Sequence, residues 1–148
     1  MAQAYLECDV ERYAQEHVKA GDWDSSEALQ KSREEHQRLL PNGLASNNQY
    51  LFSIEDEKLG TKVGMIWFAV RDTGQNPSAF VYDLLIRDQF RRRGYGTQAL
   101  IALEEKLRRL GIDTISLHVF AHNRAARALY EKVGYKARGL HMSKRLDG

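Results

Sequence analysis

Leu6, Val10, Tyr13, Ala14, His17 and Val18 recur at helical spacing and predict a helix over Tyr5–Ala20, ended by Gly21. Asp24-Ser-Ser-Glu27 has the form of a capping box, an acceptor three residues ahead of a Glu. A second helix is therefore expected from there to about Leu40, stopped by Pro41, Asn42 and Gly43. From about Gln49 the period becomes that of strands. Tyr50–Glu55 and Thr61–Arg71 are read as two strands joined by a turn at Asp56–Gly60. The cluster Gly74–Pro77 makes a further turn. Ala79–Ile86, AFVYDLLI, is apolar enough for a strand buried on both faces.

The second half alternates. Arg91–Gly96 is read as a loop and Gly96–Leu110 as a helix closed by Gly111, with Arg108 and Arg109 suited to the negative end of its dipole. Asp113–Phe120 is expected as a strand, Asn123–Val133 as a helix ended by Gly134, and Tyr135–Leu146 as a last strand carrying Leu140, Met142 and Leu146. Two helices, a meander, then helix, strand, helix and strand predict an α/β fold: a mixed sheet with about four helices packed on it. At 148 residues the chain is read as one domain, 1–148.

Composition narrows the functional classes. Hydrophobic residues make up 43% and charged residues 28%, the balance of a globular chain. One cysteine, Cys8, rules out an internal disulfide or a CxxC site, and it is expected as a small buried residue of the first helix. No apolar leader is visible and Val63–Val70 is too short to span a bilayer, so a cytoplasmic protein without a membrane partner is expected. A net charge of +2 gives no reason to expect nucleic-acid binding. His17, His36 and His141 lack ligand spacing and His122 reads as a loop residue, so no metal site is expected. Trp67 reads as core, while Trp23 either packs under the second helix or lines a pocket.

The local feature that carries chemistry is Arg91-Arg92-Arg93-Gly94-Tyr95-Gly96, between a buried strand and a helix. A helix N-terminus presents unpaired N–H groups and partial positive charge, and glycines let a ligand approach the backbone. Such a junction cradles phosphates; the alternative is a tight turn beneath a solvated basic patch. Gly94-Tyr-Gly96-Thr-Gln-Ala99 also fits the G-x-G-x-x-G/A dinucleotide pattern. That pattern wants an acidic residue at the end of the next strand, whereas Asp113 begins it.

Three matches in order resemble the GNAT N-acetyltransferase superfamily, over Tyr50 to Leu146. Asp83-Leu-Leu-Ile86 with Phe90-Arg-Arg-Arg-Gly94-Tyr-Gly96 is similar to the family's strand and pyrophosphate loop. Leu117-His-Val119 before Asn123 is similar to its next strand and helix start. Asn123-Arg-Ala-Ala-Arg-Ala-Leu-Tyr130-Glu-Lys-Val-Gly134-Tyr135 is similar to its N-x-x-A-x-x-L-Y-x-x-x-G-[FY] segment. The two N-terminal helices resemble those of small bacterial single-domain members.

The resemblance implies acetyl-CoA as cosubstrate and a small-molecule or peptide amine as acceptor. It implies that the pyrophosphate lies on the amides of Arg91, Arg92, Arg93, Gly94, Tyr95, Gly96 and Thr97. The pantetheine arm would run along Leu84, Leu85 and Ile86 and touch Asn123, which also suits a helix N-cap. Tyr130, seven residues past Asn123 and so on its face, is implied as general acid, against a reading as a core residue beside Leu129 and Val133. His118 is a candidate base because imidazole titrates near neutrality. Asp83 is its rival, as a base with a raised pKa, as an anchor for the substrate ammonium, or as the cap of a bulge; a water chain without a single base is the third case. A CoA-binding module without turnover stays open as a second class. The family's first strand is absent or very short here, so the edge it would cover is expected to be open, inviting a homodimer or a longer natural N-terminus.

Overall fold

The computed structural model describes residues 2–72, 76–144 and 146. Among these described residues, four helices and four strands follow in the order α1 (Ala2–Ala20), α2 (Ala28–Leu39), β1 (Gln49–Asp56), β2 (Thr61–Arg71), β3 (Ser78–Ile86), α3 (Tyr95–Arg109), β4 (Thr114–Leu117) and α4 (Arg124–Val133). Short 3-10 turns at Gly43–Ala45 and Asp88–Phe90 precede β1 and α3. The sheet runs β1-β2-β3-β4, antiparallel for the first two pairings and parallel for the last. The expected α/β fold with a mixed sheet is therefore present.

Alternation along the strands assigns each face of the sheet a layer. Ile66 and Phe68 of β2, Ala79 and Val81 of β3, and Leu100, Leu103 and Leu107 of α3 form one core, with Leu129, Tyr130 and Val133 of α4 against it. The three α3 leucines recur at i, i+3 and i+7, one helix face. Tyr5 and Leu6 of α1 meet Met65 of β2 on the other side of the sheet, with Leu51 and Leu85 beside them.

One irregularity in β3 decides what points where. Trp67 pairs with Asp83 but Phe68 pairs with Val81, which leaves Tyr82 without a partner in β2. The extra residue is a bulge, and it reverses the alternation beyond it. Before it, odd-numbered Ala79 and Val81 face α3; after it, Leu84 takes that face while Leu85 joins the α1 side. Asp83 is thereby turned toward α1. Next to it, β2 needs a glycine at position 64, since a Cβ there would lie 2.1 Å from the Leu85 carbonyl oxygen.

Four expectations change. The strand expected over Asp113–Phe120 is only Thr114–Leu117, because β4 pairs with β3 no further than Val81 and the strands then part. The tail forms no strand among its described residues, and Leu140, Met142 and Leu146 are 84–90% exposed. Asp24 accepts from Ser26, and α2 begins behind Glu27, later than a cap at Asp24 would start it, without a side-chain cap. Cys8 is exposed rather than buried, because α1 turns the stripe Tyr5, Asp9 and Arg12 inward instead. The turn at Gly74–Pro77 lies in part outside the described residues. No strand precedes α1 among the described residues, and β1 is an edge of the sheet.

Candidate functional site

The parting of β3 and β4 opens a cleft of about 1390 Å³. Its walls come from α1, α2, the second half of β3, the loop before α3, residues 118–120 after β4, and α4. Beyond Val81 the backbone of β3 has no strand partner on its β4 side, so that edge is open for an extended ligand.

One end of the cleft is the arginine–glycine loop. Arg91, Arg92, Gly94, Tyr95, Gly96 and Thr97 line it. Gly94 adopts φ +83°, a conformation that favours glycine, and caps α3 with no side-chain bond. The first α3 amide with a backbone acceptor is that of Gln98, bonded to the Gly94 carbonyl at 3.1 Å, so the amides ahead of it have no partner within the helix. Arg91 donates from Nε to the Ile86 carbonyl (2.9 Å) and pairs with Asp88, which ties the loop to the end of β3. Tyr95 donates to Asp56 Oδ2 (2.6 Å), fixing it to β1. Arg93 lies outside the cleft wall, with its guanidinium 5.7 Å from the centre of the Phe90 ring. Leu84, Leu85 and Ile86 line the middle of the cleft.

The other end is polar and built on Asp83. Tyr5 donates to Asp83 Oδ2, and Arg12 donates to the same oxygen at 2.9 Å. Arg12 also pairs with Asp9, which pairs with His36 Nε2 at 2.9 Å. Burial raises the Asp83 pKa, the Asp9 charge adds to this, and Arg12 and Tyr5 oppose it. The sequence singled out Asp83 but missed Tyr5, Asp9, Arg12 and His36. The signal available was the i, i+4, i+7 spacing of Tyr5, Asp9 and Arg12, polar groups on a stripe that otherwise reads as core.

His118 follows β4 directly and lines the cleft, its ring edge-on to Phe120 with centroids 5.0 Å apart. Partial burial lowers its pKa, helped by the nearby His17, so the ring is neutral at pH 7. Asn123 also lines the cleft and caps α4, with Oδ1 accepting from the Ala126 amide (3.2 Å). Tyr130 lies just behind the wall. Leu129 lines the cleft, while the Tyr130 ring packs on the α3 core and edge-on to Tyr135. Burial and the charge of Asp83 push its pKa up to about 12. Trp23 takes no part in the wall; it stacks on His17. His122 pairs with Glu16. Trp67 is 3% exposed and donates to Gln49, yet it borders the cleft.

Asp113 sits at the opposite end of β4 from the cleft, which removes the acidic partner of the dinucleotide pattern. Among the described residues no group of His, Cys, Asp and Glu is arranged to hold a metal ion, and no helix is long and apolar enough to cross a membrane.

Proteins similar to this chain include acetyltransferases. The chain is 40% identical over 146 residues to YycN of Bacillus subtilis, described as an uncharacterized N-acetyltransferase, covering 97% of this chain and 92% of that one. It is 33% identical to YdgE of the same organism, over 97% and 91% of the two chains. The crystal structure of YycN, a putative acetyltransferase, superposes with a TM-score of 0.91 over 97% of this chain and 91% of that one. Residues 10–135 match the Acetyltransferase (GNAT) family, and with the open β3 edge leading to a glycine–arginine loop at a helix start, the chain belongs to that family of N-acetyltransferases.

Proposed function

We propose that the protein moves an acetyl group from acetyl-CoA to a primary amine by direct attack in a ternary complex. The observation that carries this reading is the cleft itself: an unpaired strand edge runs from an arginine–glycine loop at a helix start to a carboxylate and an imidazole. Its volume of about 1390 Å³ exceeds that of an ordinary small-molecule pocket, as two substrates require.

The amides and glycines of Arg91–Thr97 hold the pyrophosphate, Arg91 and Arg92 supplying charge from the cleft wall and Arg93 from outside it. The unpaired backbone of Leu84–Ile86 holds the pantetheine arm and offers an N–H to the acetyl oxygen. Asn123 uses its oxygen for the helix cap, leaving its amide N–H groups for the same arm. Acetyl-CoA supplies an acetyl group already activated as a thioester.

Asp83 anchors the acceptor ammonium. His118, neutral and facing the cleft, takes the proton that makes the amine nucleophilic. The nitrogen then bonds to the acetyl carbon as the carbon–sulfur bond breaks. The ammonium gives up two protons in all: one leaves through His118 to water, and the other balances protonation of the departing thiolate. Tyr130 delivers that last proton. Its hydroxyl has no hydrogen-bond partner among the described residues and is not a buried orphan, and its neighbour Leu129 lines the cleft. We also propose that β1, the open edge, pairs with its counterpart in a second copy; a monomer by light scattering removes that pairing.

Calorimetric titration with acetyl-CoA, with NAD as comparison, tests the cofactor. Micromolar binding, lost in the double variant Arg91→Ala/Gly94→Asp, is expected. No binding, or equal binding of NAD, sinks the reading. Tyr130→Phe is then expected to lower kcat while leaving acetyl-CoA affinity unchanged; an unchanged kcat removes Tyr130 as the acid.

A further inference from the structure

The groups around Asp83 form a chain in which basic and acidic side chains alternate. His36, Asp9, Arg12 and Asp83 contact one another in turn across α2, α1 and β3. His36 bonds through Nδ1 to the Ser32 carbonyl and through Nε2 to Asp9 Oδ2, each at 2.9 Å. Both partners only accept, so the imidazolium satisfies both. These bonds raise the pKa of His36 against the pull of burial. Asp9 thus sits between His36 and Arg12, and Arg12 between Asp9 and Asp83.

The end of this chain is incomplete in a specific way. Asp83 receives Tyr5 and Arg12 on one oxygen, Oδ2. Oδ1 receives no donor from the described residues. Arg12 serves both carboxylates with one nitrogen, Nη2. Its Nη1 and Nε reach no acceptor among the described residues, and neither they nor Oδ1 are buried orphans. Both side chains line the cleft, 34% and 20% exposed. An open acceptor and a set of open donors thus stand side by side, joined through their other atoms at 2.9 Å.

We propose that this pair selects free α-amino acids as acceptors, with the ammonium on Asp83 Oδ1 and the α-carboxylate on the open N–H groups of Arg12. The inference rests on the amine acetyltransferase reading above and deepens it. The two charges of an α-amino acid are one carbon apart, so a ligand that answers a carboxylate and a guanidinium in direct contact must carry its own two charges on neighbouring groups, as an α-amino acid does. A simple amine leaves the Arg12 donors on water alone. A peptide N-terminus offers them only a neutral carbonyl, which makes a bond about half as strong as a carboxylate does. Tyr5 and Asp9 hold the pair in place, so its geometry is set before the acceptor arrives.

The test is thiol release from acetyl-CoA by the unmodified protein with a panel of L-amino acids of different side chains. Each is assayed beside its α-amide and its decarboxylated amine. The free amino acid is expected to lead both analogues in kcat/KM by about ten- to a hundredfold, the difference lying mainly in KM. Arg12→Gln is expected to abolish that lead, and the comparison within the unmodified protein stands even if this variant fails to fold. Equal or better use of the amide or the amine overturns the inference while leaving the transferase intact. So does acetyl-CoA binding with no turnover of any amino acid. Absence of acetyl-CoA binding overturns the transferase reading and this inference with it.

Discussion

Tyr5→Phe isolates one bond of the polar network. Tyr5 is 7% exposed and packs with Leu6 and Met65, contacts that a phenylalanine ring retains. The variant loses the hydroxyl that donates to Asp83 Oδ2, leaving Arg12 as that oxygen's donor. A hydrogen bond to a charged group contributes about 1.5–3 kcal/mol. For a chain of this length that loss lowers Tm by roughly 3–12 °C, at about 2–4 °C per kcal/mol. The pH dependence is the sharper readout. Burial and Asp9 raise the Asp83 pKa, so the folded protein holds this proton above the ordinary carboxyl range and loses stability as pH rises through that window. Tyr5 bonds to the ionised form and pulls the value back down. Removing it moves the Asp83 pKa further up and extends the window. The stability gap between the two proteins is therefore smallest at the acidic end, where Asp83 takes up its proton, and grows as pH rises through the raised pKa. Urea unfolding from pH 4 to 8 measures the gap, and carboxyl carbon NMR reads the titration. A gap that stays constant with pH, or one below about 0.5 kcal/mol at pH 8, refutes the bond as described.

The remaining predictions concern His118 and the sheet. The lowered pKa of His118 places the acidic limb of kcat/KM below the ordinary imidazole value of about 6.5, with activity rising as pH increases through it. His118→Gln is expected to erase that limb and cost about 10²–10⁴-fold in kcat; a variant that keeps both limb and rate transfers the role to water or Asp83. Gly64→Ala would set a Cβ 2.1 Å from the Leu85 carbonyl oxygen and 3.1 Å from Ile86 Cα, so β2 and β3 must separate. The expected loss is about 3 kcal/mol or more in urea unfolding, and a loss below about 1 kcal/mol shows that the strands have room to shift.

The elements that the chain's periodicity predicts are those whose packing is local to one pattern. α3 exposes its leucine stripe to a single core, and β2 is apolar because both its faces are covered, so both are readable residue by residue. The arginine–glycine loop was legible for a similar reason, since a glycine turn into a helix start is a property of consecutive residues. What failed to show was long-range. β4 stops at Leu117 because β3 bends away, and nothing within residues 113–120 records that bend. Leu140 and Met142 alternate like strand residues, yet alternation specifies a strand only where a neighbouring edge accepts it.

The bulge at Tyr82 joins these failures to the site. Sequence spacing puts Asp83 in the middle of an apolar strand, where unbroken alternation would aim it at the same core as Ala79 and Val81. A carboxylate there would be desolvated with no cation within reach. One extra residue turns it to the opposite face, where the α1 stripe offers Tyr5 and Arg12 from 78 and 71 residues away. The same local twist carries the end of β3 away from β4 and opens the cleft. The orientation of Asp83 and the cleft beside it thus both follow from a single insertion in the strand. That is why the polar residues of α1, which look like interruptions of a hydrophobic face, are the ones that complete the site.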